Sequence, residues 1–281
     1  MPETYSHSKL ETFEQCRLKY KYRYIDKIIP EVPKSIEAHL GIVIHETLEW
    51  LYKNIMEKKI PSVNDVVDFY SEKWIEQFSS EMNIVKKEFR AEDYFNKGVE
   101  FLVNYYLKNQ PFSDNTIAVE EKIEIDLDED KKLIGYIDRL VNNLEKDEIE
   151  IHDYKTANSI PSKEKMENNR QLALYSLAIK EIFGKDKNIC MVWHFLSNDV
   201  KFCLRKTNEE LEELRRKVVE LINKIESTKN FPATKSILCN WCDYRNVCEA
   251  WGHLPPTPAR KKDNNDDAKE KSKDEKLLDI W

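Results

Sequence analysis

The chain of 281 residues carries 45 Lys+Arg against 52 Asp+Glu, a formal net charge of −7. With 41% hydrophobic and 35% charged residues it can bury a sizeable core, which excludes a disordered chain, and no apolar run approaches the roughly 18 residues of a membrane span. Only five glycines occur and none forms a GxGxxG or Walker loop, so a dinucleotide site and a P-loop are excluded; the net acidity leaves a local basic groove or a metal as the means of holding nucleic acid.

The first residues, Met-Pro-Glu-Thr-Tyr, lack the basic start and apolar core of a secretory signal, so a cytoplasmic protein is expected. Residues 8–28 mix aromatics (Phe13, Tyr20, Tyr22, Tyr24) with Lys19, Lys21 and Arg23, and Pro30 and Pro33 then interrupt the chain. From 35 to about 59, Leu40, Ile44, Leu48, Leu51 and Ile55 recur at steps of four, four, three and four, which predicts a helix with one buried stripe. Two more helices are predicted at about 63–79 and 91–109. The period then drops to two at Ile117, Val119, Ile123, Ile125 and Leu127, with a turn at 128–132 and strands at 133–142 and 148–155. A helix at about 162–183, β-like runs at 189–196 and 200–205, and a helix capped by Asn208 and running to about 227 complete the pattern. Helices, strands, a helix, more strand and a helix predict an α/β or α+β sandwich around a mixed sheet.

The most informative stretch is Glu148-Ile-Glu-Ile-His-Asp153-Tyr154-Lys155-Thr156. Period two puts Asp153 and Lys155 on the face of Ile149 and Ile151, and a buried acid beside a lysine is costly unless a metal or anion joins them; alone, the pair reads as a salt bridge. On the preceding strand Asp138 shares the face of Ile134, Tyr136 and Leu140, so two carboxylates on adjacent strands form a hard-cation site, with an ion pair to Arg139 or a neighbour as the plainer reading. His45 lies on the 35–59 helix, where a lone histidine is more often a core residue than a ligand. Gln171 and Tyr175 stand at i and i+4 and project on one side of their helix.

Cys239, Cys242 and Cys248 form C-x2-C-x5-C, three thiolates on one compact loop that need a fourth to close a Zn²⁺ or iron–sulfur site. Cys16, more than 200 residues upstream, is available, and its ligation would staple the first helix to the last module. Cys190 and Cys203 lie on apolar β-like runs and read as free buried thiols.

Together these pieces resemble the RecB-like branch of the PD-(D/E)XK nuclease superfamily, in particular its members with a cysteine-bound [4Fe–4S] cluster: the CRISPR-associated RecB-like exonucleases and the nuclease domains of helicase–nuclease subunits. The matches run in order from Ser8-Lys9-Leu10, Phe13, Cys16, Tyr20 and Tyr22 through His45, Gly135-Tyr-Ile-Asp138-Arg139, Asp153-Tyr154-Lys155-Thr156 and Gln171-Leu172-Ala173-Leu174-Tyr175 to the terminal cysteines. Arg17 stands where the family often has proline. The family's further acid is either Glu120 or Glu121, both on the preceding strand, with Glu121 favoured.

The resemblance implies a restriction-endonuclease-like core, a central mixed sheet flanked by helices. It implies that His45, Asp138, Asp153 and the Tyr154 main-chain carbonyl hold Mg²⁺ or Mn²⁺, that Lys155 orients the nucleophile, and that Gln171 and Tyr175 place the nucleic-acid strand. It further implies a [4Fe–4S] cluster on Cys16, Cys239, Cys242 and Cys248, and DNA cleavage in repair, recombination or CRISPR adaptation. The basic residues Lys19, Lys21, Arg23 and Arg170 are expected to attract DNA, and the N-terminal aromatics to stack unpaired bases, favouring single strands or duplex ends. The competing readings are a non-catalytic DNA-end-binding adaptor, against which the intact Asp138, Asp153 and Lys155 speak, and a Zn-stapled nucleic-acid-binding protein.

The expected organisation is an N-terminal segment (1–34), a nuclease core (35–230), a cysteine-rich module (231–254) and a tail (255–281). Residues 260–276 hold seven basic and six acidic side chains and nothing to fold around. The chain then ends in Leu277, Leu278, Ile280 and Trp281, and the spacing Glu275-x-x-Leu278-x-x-Trp281 resembles the peptides that dock on sliding clamps, though it has Glu where Gln is usual. A sliding clamp or single-strand-binding protein is the expected partner of this tip.

Overall fold

A computed structural model describes residues 3–30 and 34–253; the tail and its apolar tip lie outside the described residues. The chain opens with strand β1 (Glu3–Tyr5), which the sequence pattern does not announce. Ser6 caps helix α1 (His7–Gln15) by accepting from the Lys9 N–H, an arrangement that satisfies one of the free amides of the first turn. Cys16 is extended and separates α1 from α2 (Arg17–Tyr20), which runs on as a π-helical turn, Lys21–Ile25.

Helices α3 (Ile36–Met56), α4 (Val63–Gln77) and α5 (Ala91–Asn109) form one layer. Ser35 caps α3, and a Ser62/Asp65 capping box starts α4. The predicted stripe of α3 holds: Leu40, Ile44, Leu48 and Leu51 are buried in a core that also takes Tyr70, Trp74, Phe101, Leu102, Tyr154 of the sheet and Leu196 just beyond it.

The sheet contains β2 (Thr116–Asp128), β3 (Lys131–Asn143), β4 (Glu148–Lys155), β5 (Asn188–Phe195) and β6 (Val200–Leu204). Its order is β1-β3-β4-β5-β6, with β2 also paired to β3. The β4–β5 and β1–β3 pairs are parallel and the others antiparallel, so this is the mixed sheet flanked by helices that the pattern predicts. The parallel β4–β5 pair requires a crossover, supplied by α6 (Lys163–Glu167) and α7 (Gln171–Phe183). Helix α8 (Asn208–Ser227) and α7 cover the second face, over Ile123, Ile125, Leu133, Ile137, Ile149 and Ile151.

Three local expectations are corrected. The helix expected at 162–183 is broken, because the Asn169 side chain accepts from the Gln171 N–H and begins a new helix there. The last helix is capped by Thr207 with Glu210 in a capping box, not by Asn208, which is already helical. Cys203 is exposed, since β6 is an edge strand with one face to solvent; Cys190, one strand inward, is buried as expected.

The segment after α8 is three short 3-10 turns: Ile237–Trp241, Arg245–Val247 and Glu249–Trp251. It is anchored by a small core in which Tyr244 packs against Leu18, Tyr22 and Ile28 of the N-terminal segment, and the Tyr244 hydroxyl donates to the Ile28 carbonyl at 3.0 Å. Among the described residues no helix is long and apolar enough to cross a membrane.

Candidate active site

The site grows from a fork between two strands. One edge of β3 pairs with β2; the other is shared by β1, at Lys131–Leu133, and β4, at Arg139–Asn143. The β3–β4 ladder ends at Arg139↔His152, yet β4 continues to Lys155. Beyond that point a side chain replaces the ladder: Asp138 Oδ2 accepts from the Tyr154 N–H at 2.8 Å. The strand alternation also slips there, because Ile137 and Leu140 both enter the core under α7. Asp138 therefore does not share a face with Leu140 as the period of two predicts.

Asp153 and Lys155 do share the α7 face with Ile149 and Ile151. Lys155 Nζ donates to Asp153 Oδ1 (3.0 Å) and to Gln171 Oε1 (3.2 Å), which brings the first residue of α7 into the site. From the opposite layer, the middle of α3 delivers His45. Its Nε2 lies 2.8 Å from the Tyr154 carbonyl oxygen, which only accepts, so Nε2 carries the ring proton. Nδ1 consequently points its lone pair at Asp138 Oδ2, 3.5 Å away. Burial pulls His45 down to about 4, so the ring is neutral at pH 7.

A third acid completes the group: ligand atoms of His45, Glu120 and Asp138 all lie within 4.8 Å of one another. Val119 and Glu121 pair with Arg139 and Ile137, which sets Glu120 opposite Asp138. The favoured Glu121 is exposed and points away. The cause is a β-bulge. A two-residue turn with unbroken pairing from Asp128↔Lys131 would have put Glu121 opposite Asp138, but the register shift between Asp126 and Asp128 moves Glu120 there instead. Glu120 also has φ 48°, a left-handed conformation that costs a non-glycine residue about 1–2 kcal/mol.

The electrostatics fit a cation. Burial pushes Asp153 up to about 6 and raises Asp138 for the same reason, Lys155 opposing both shifts. Burial alone would lower Lys155, but Asp153 and Asp138 outweigh it and its net shift is upward. Asp153 Oδ2 and His45 Nδ1 are buried and have no hydrogen-bond partner among the described residues. A neutral imidazole lone pair and two carboxylates that converge from three elements form the hard nitrogen and oxygen ligand set that a divalent ion takes. The donor set therefore suits Mg²⁺ or Mn²⁺.

The remaining expected residues are placed differently. Tyr175 is fully buried, and a Cβ on Gly135 would lie 2.2 Å from its Cε1, so it packs beneath β3 and offers no surface to a strand of nucleic acid. The N-terminal aromatics are also core. Phe13 and Tyr20 meet edge-on, Tyr20 stacks parallel to Phe231, and Tyr22 lies against Tyr244, so stacking of bases on these three is ruled out by burial. Of the basic residues, Lys21 pairs with Asp26 and Arg170 with Glu14. Arg139 is not the partner of Asp138; it pairs with Asp114.

The four cysteines Cys16, Cys239, Cys242 and Cys248 line one cavity of about 50 Å³. Backbone N–H groups of Thr234 and Ser236 donate to the Cys16 and Cys239 sulfurs, each at 3.4 Å. Burial raises the Cys248 thiol, and the neighbouring Cys16 and Cys239 act in the same direction.

A mixed sheet whose strands fork around two aspartates and a lysine defines a nuclease-type core. The profile of the PD-(D/E)XK nuclease superfamily matches residues 4–249, and the chain belongs to that superfamily. Its fold is similar to the crystal structure of a candidate exonuclease from Eubacterium rectale, with a TM-score of 0.50 at 9% identity over 92% of this chain and 91% of that one. A second solved structure, of SSO0001, aligns with a TM-score of 0.36 at 13% identity over 78% and 96% of the two chains. No curated protein matches the sequence.

Proposed function

We propose that the protein is a Mg²⁺- or Mn²⁺-dependent deoxyribonuclease of the RecB-like, iron–sulfur type, acting as an exonuclease on DNA ends. The observation that carries this reading is the convergence of His45, Glu120 and Asp138 ligand atoms within 4.8 Å, beside a buried Asp153 oxygen without a hydrogen-bond partner and Lys155. His45 Nδ1, Asp138, Asp153 and Glu120 would hold the cation, with the Tyr154 carbonyl adjoining. A cation bound there lowers the pKa of a coordinated water and offsets phosphate charge.

The chain's own groups do the rest. Lys155, cationic and held between Asp153 and Gln171, presents its ammonium to the nucleophile and to the charge that grows on the phosphate. His45 keeps its proton on Nε2 by donating to Tyr154, which leaves Nδ1 a permanent lone-pair donor. Asp138 fixes the end of β4 through the Tyr154 N–H, and the same Oδ2 faces His45 Nδ1.

The cysteine cavity supports a structural metal centre, because four thiols drawn from both ends of the chain line one small space. A [4Fe–4S] cluster is the centre that the resemblance implies, with zinc as the alternative that the metal assay separates. The apolar tip of the tail is proposed to dock on a sliding clamp or a single-strand-binding protein.

The test is to incubate anaerobically purified protein with end-labelled single- and double-stranded DNA, with Mn²⁺ or with a chelator, and to assay iron and acid-labile sulfide on the same sample. Cleavage only with Mn²⁺, by protein holding four irons per chain, is expected from this reading. Chelator-resistant cleavage, or a colourless protein with one zinc, contradicts it.

A further inference from the structure

Behind the fork lies a buried polar array that the chemistry above does not use. Arg139, 1% exposed, is its centre. Its Nε donates to the Tyr154 hydroxyl (2.9 Å), one terminal nitrogen donates to Asp114 and to Thr116 Oγ1, and the other donates to His152 Nδ1 (2.8 Å). The guanidinium also lies 4.1 Å over the Tyr52 ring of α3. A guanidinium only donates, so His152 is neutral and its proton sits on Nε2, donated to Glu150 at 2.9 Å. His194 Nε2, 2.9 Å from the same Nδ1, is then a donor as well. Tyr105 joins the Tyr154 hydroxyl (3.0 Å) to that of Tyr52 (2.7 Å).

Two consecutive residues of β3 thus hold both ends of Tyr154. Asp138 takes its backbone N–H and Arg139 takes its hydroxyl, at the point where the β3–β4 ladder has ended. Tyr154 in turn accepts from His45 through its carbonyl. With the ladder gone, the width of the fork is set by these side-chain bonds.

We propose that Arg139 is a positioning residue of the cation site, acting through the Tyr154 hydroxyl to fix the backbone that His45 and Asp138 share. This rests on the cation-site reading above. Outer-layer partners of metal ligands typically change affinity about 10–100-fold when removed. The experiment is a calorimetric Mn²⁺ titration of the full chain and of Tyr154→Phe, Arg139→Lys, the double variant and Tyr52→Phe, with melting curves to establish folding. Tyr154→Phe and Arg139→Lys should each weaken Mn²⁺ binding about tenfold, and the double variant no more than the worse single, because both cut one linkage. Tyr52→Phe removes a hydroxyl from the far end of the array and should stay within about twofold of the parent.

Unchanged affinity in folded Tyr154→Phe and Arg139→Lys overturns the inference, as does an additive loss in the double variant or an equal loss in Tyr52→Phe. If Arg139→Lys does not fold, Tyr154→Phe alone decides. A parent that binds no Mn²⁺ refutes the cation site itself and this inference with it, whereas Mn²⁺ binding unaffected by the variants refutes only the role of Arg139.

Discussion

The strand fork and the cysteine module solve the same problem, holding charged or polar ligand groups close together, in opposite ways. The fork is assembled by the fold itself: Asp138, Asp153 and His45 come from β3, β4 and α3, each fixed by hydrogen bonds and two apolar cores before any ion arrives. The cysteine module has three short turns without a buried residue in them and a small core built around Tyr244. A preformed site is tuned by its ligand, whereas a module with so little core depends on one.

That contrast breaks most easily at the module. If the proposed cluster is held there, Cys16→Ala removes its one ligand from the other end of the chain, and should lower the melting temperature by about 10 °C or more with loss of iron. Cys190→Ala and Cys203→Ala should keep both iron and stability, since neither thiol lines the cavity. Metal analysis with differential scanning calorimetry checks all three. At the fork, Asp153→Ala should leave folding intact, because burial already raises that carboxyl so its charged form works against the fold, and Lys155 keeps Gln171 and the Asp138 charge as partners. The same variant should abolish Mn²⁺ binding and cleavage, measured by titration and on labelled DNA.

Smaller changes test how tightly the fork is built. A methyl group on Gly135 would meet the buried Tyr175 ring, and Gly135→Ala should cost about 1–3 kcal/mol in chemical denaturation. Tyr175→Leu in the same chain should return part of that loss.

The pH dependence sharpens the comparison further. The folded Asp138 and Asp153 carboxyls sit above their ordinary value, Asp153 near 6, so without a cation they favour the fold at low pH and that contribution is lost as pH rises from about 4 to 6. A cation needs both deprotonated. The Mn²⁺-induced rise in melting temperature should therefore be full above pH 7, shrink as pH falls through 6 and be nearly gone at about pH 4.5, which a melting series with and without Mn²⁺ reads directly.

Much of the fork is legible in the sequence, for reasons the structure makes plain. Asp153 and Lys155 share a face with Ile149 and Ile151 by strand alternation, whereas His45 enters as a site residue only through the family resemblance, because a lone histidine one step from the buried Ile44 reads as core. The choice between Glu120 and Glu121 is not legible, because it depends on a bulge near the turn that no residue pattern between Asp126 and Asp128 announces. Tyr175 and the N-terminal aromatics mislead for another reason. Aromatic residues among lysines look like a binding face until the Tyr244 contact and the Gly135 gap, each more than 35 residues away in sequence, are known to fill around them. Arg139 is readable only as a neighbour of Asp138, since the slip in alternation that sends it toward Tyr154 arises from the end of the ladder.

The measurement that tests the central claim most directly is single-turnover cleavage of end-labelled DNA by Lys155→Ala at saturating Mn²⁺. Lys155 touches Asp153 and Gln171 yet is not itself a cation ligand, so the variant separates holding the ion from doing the chemistry. Mn²⁺ affinity should stay near the parent's while the cleavage rate falls on the order of a hundredfold or more. A Lys155→Ala protein that cleaves at the parental rate would place the chemistry somewhere other than the fork.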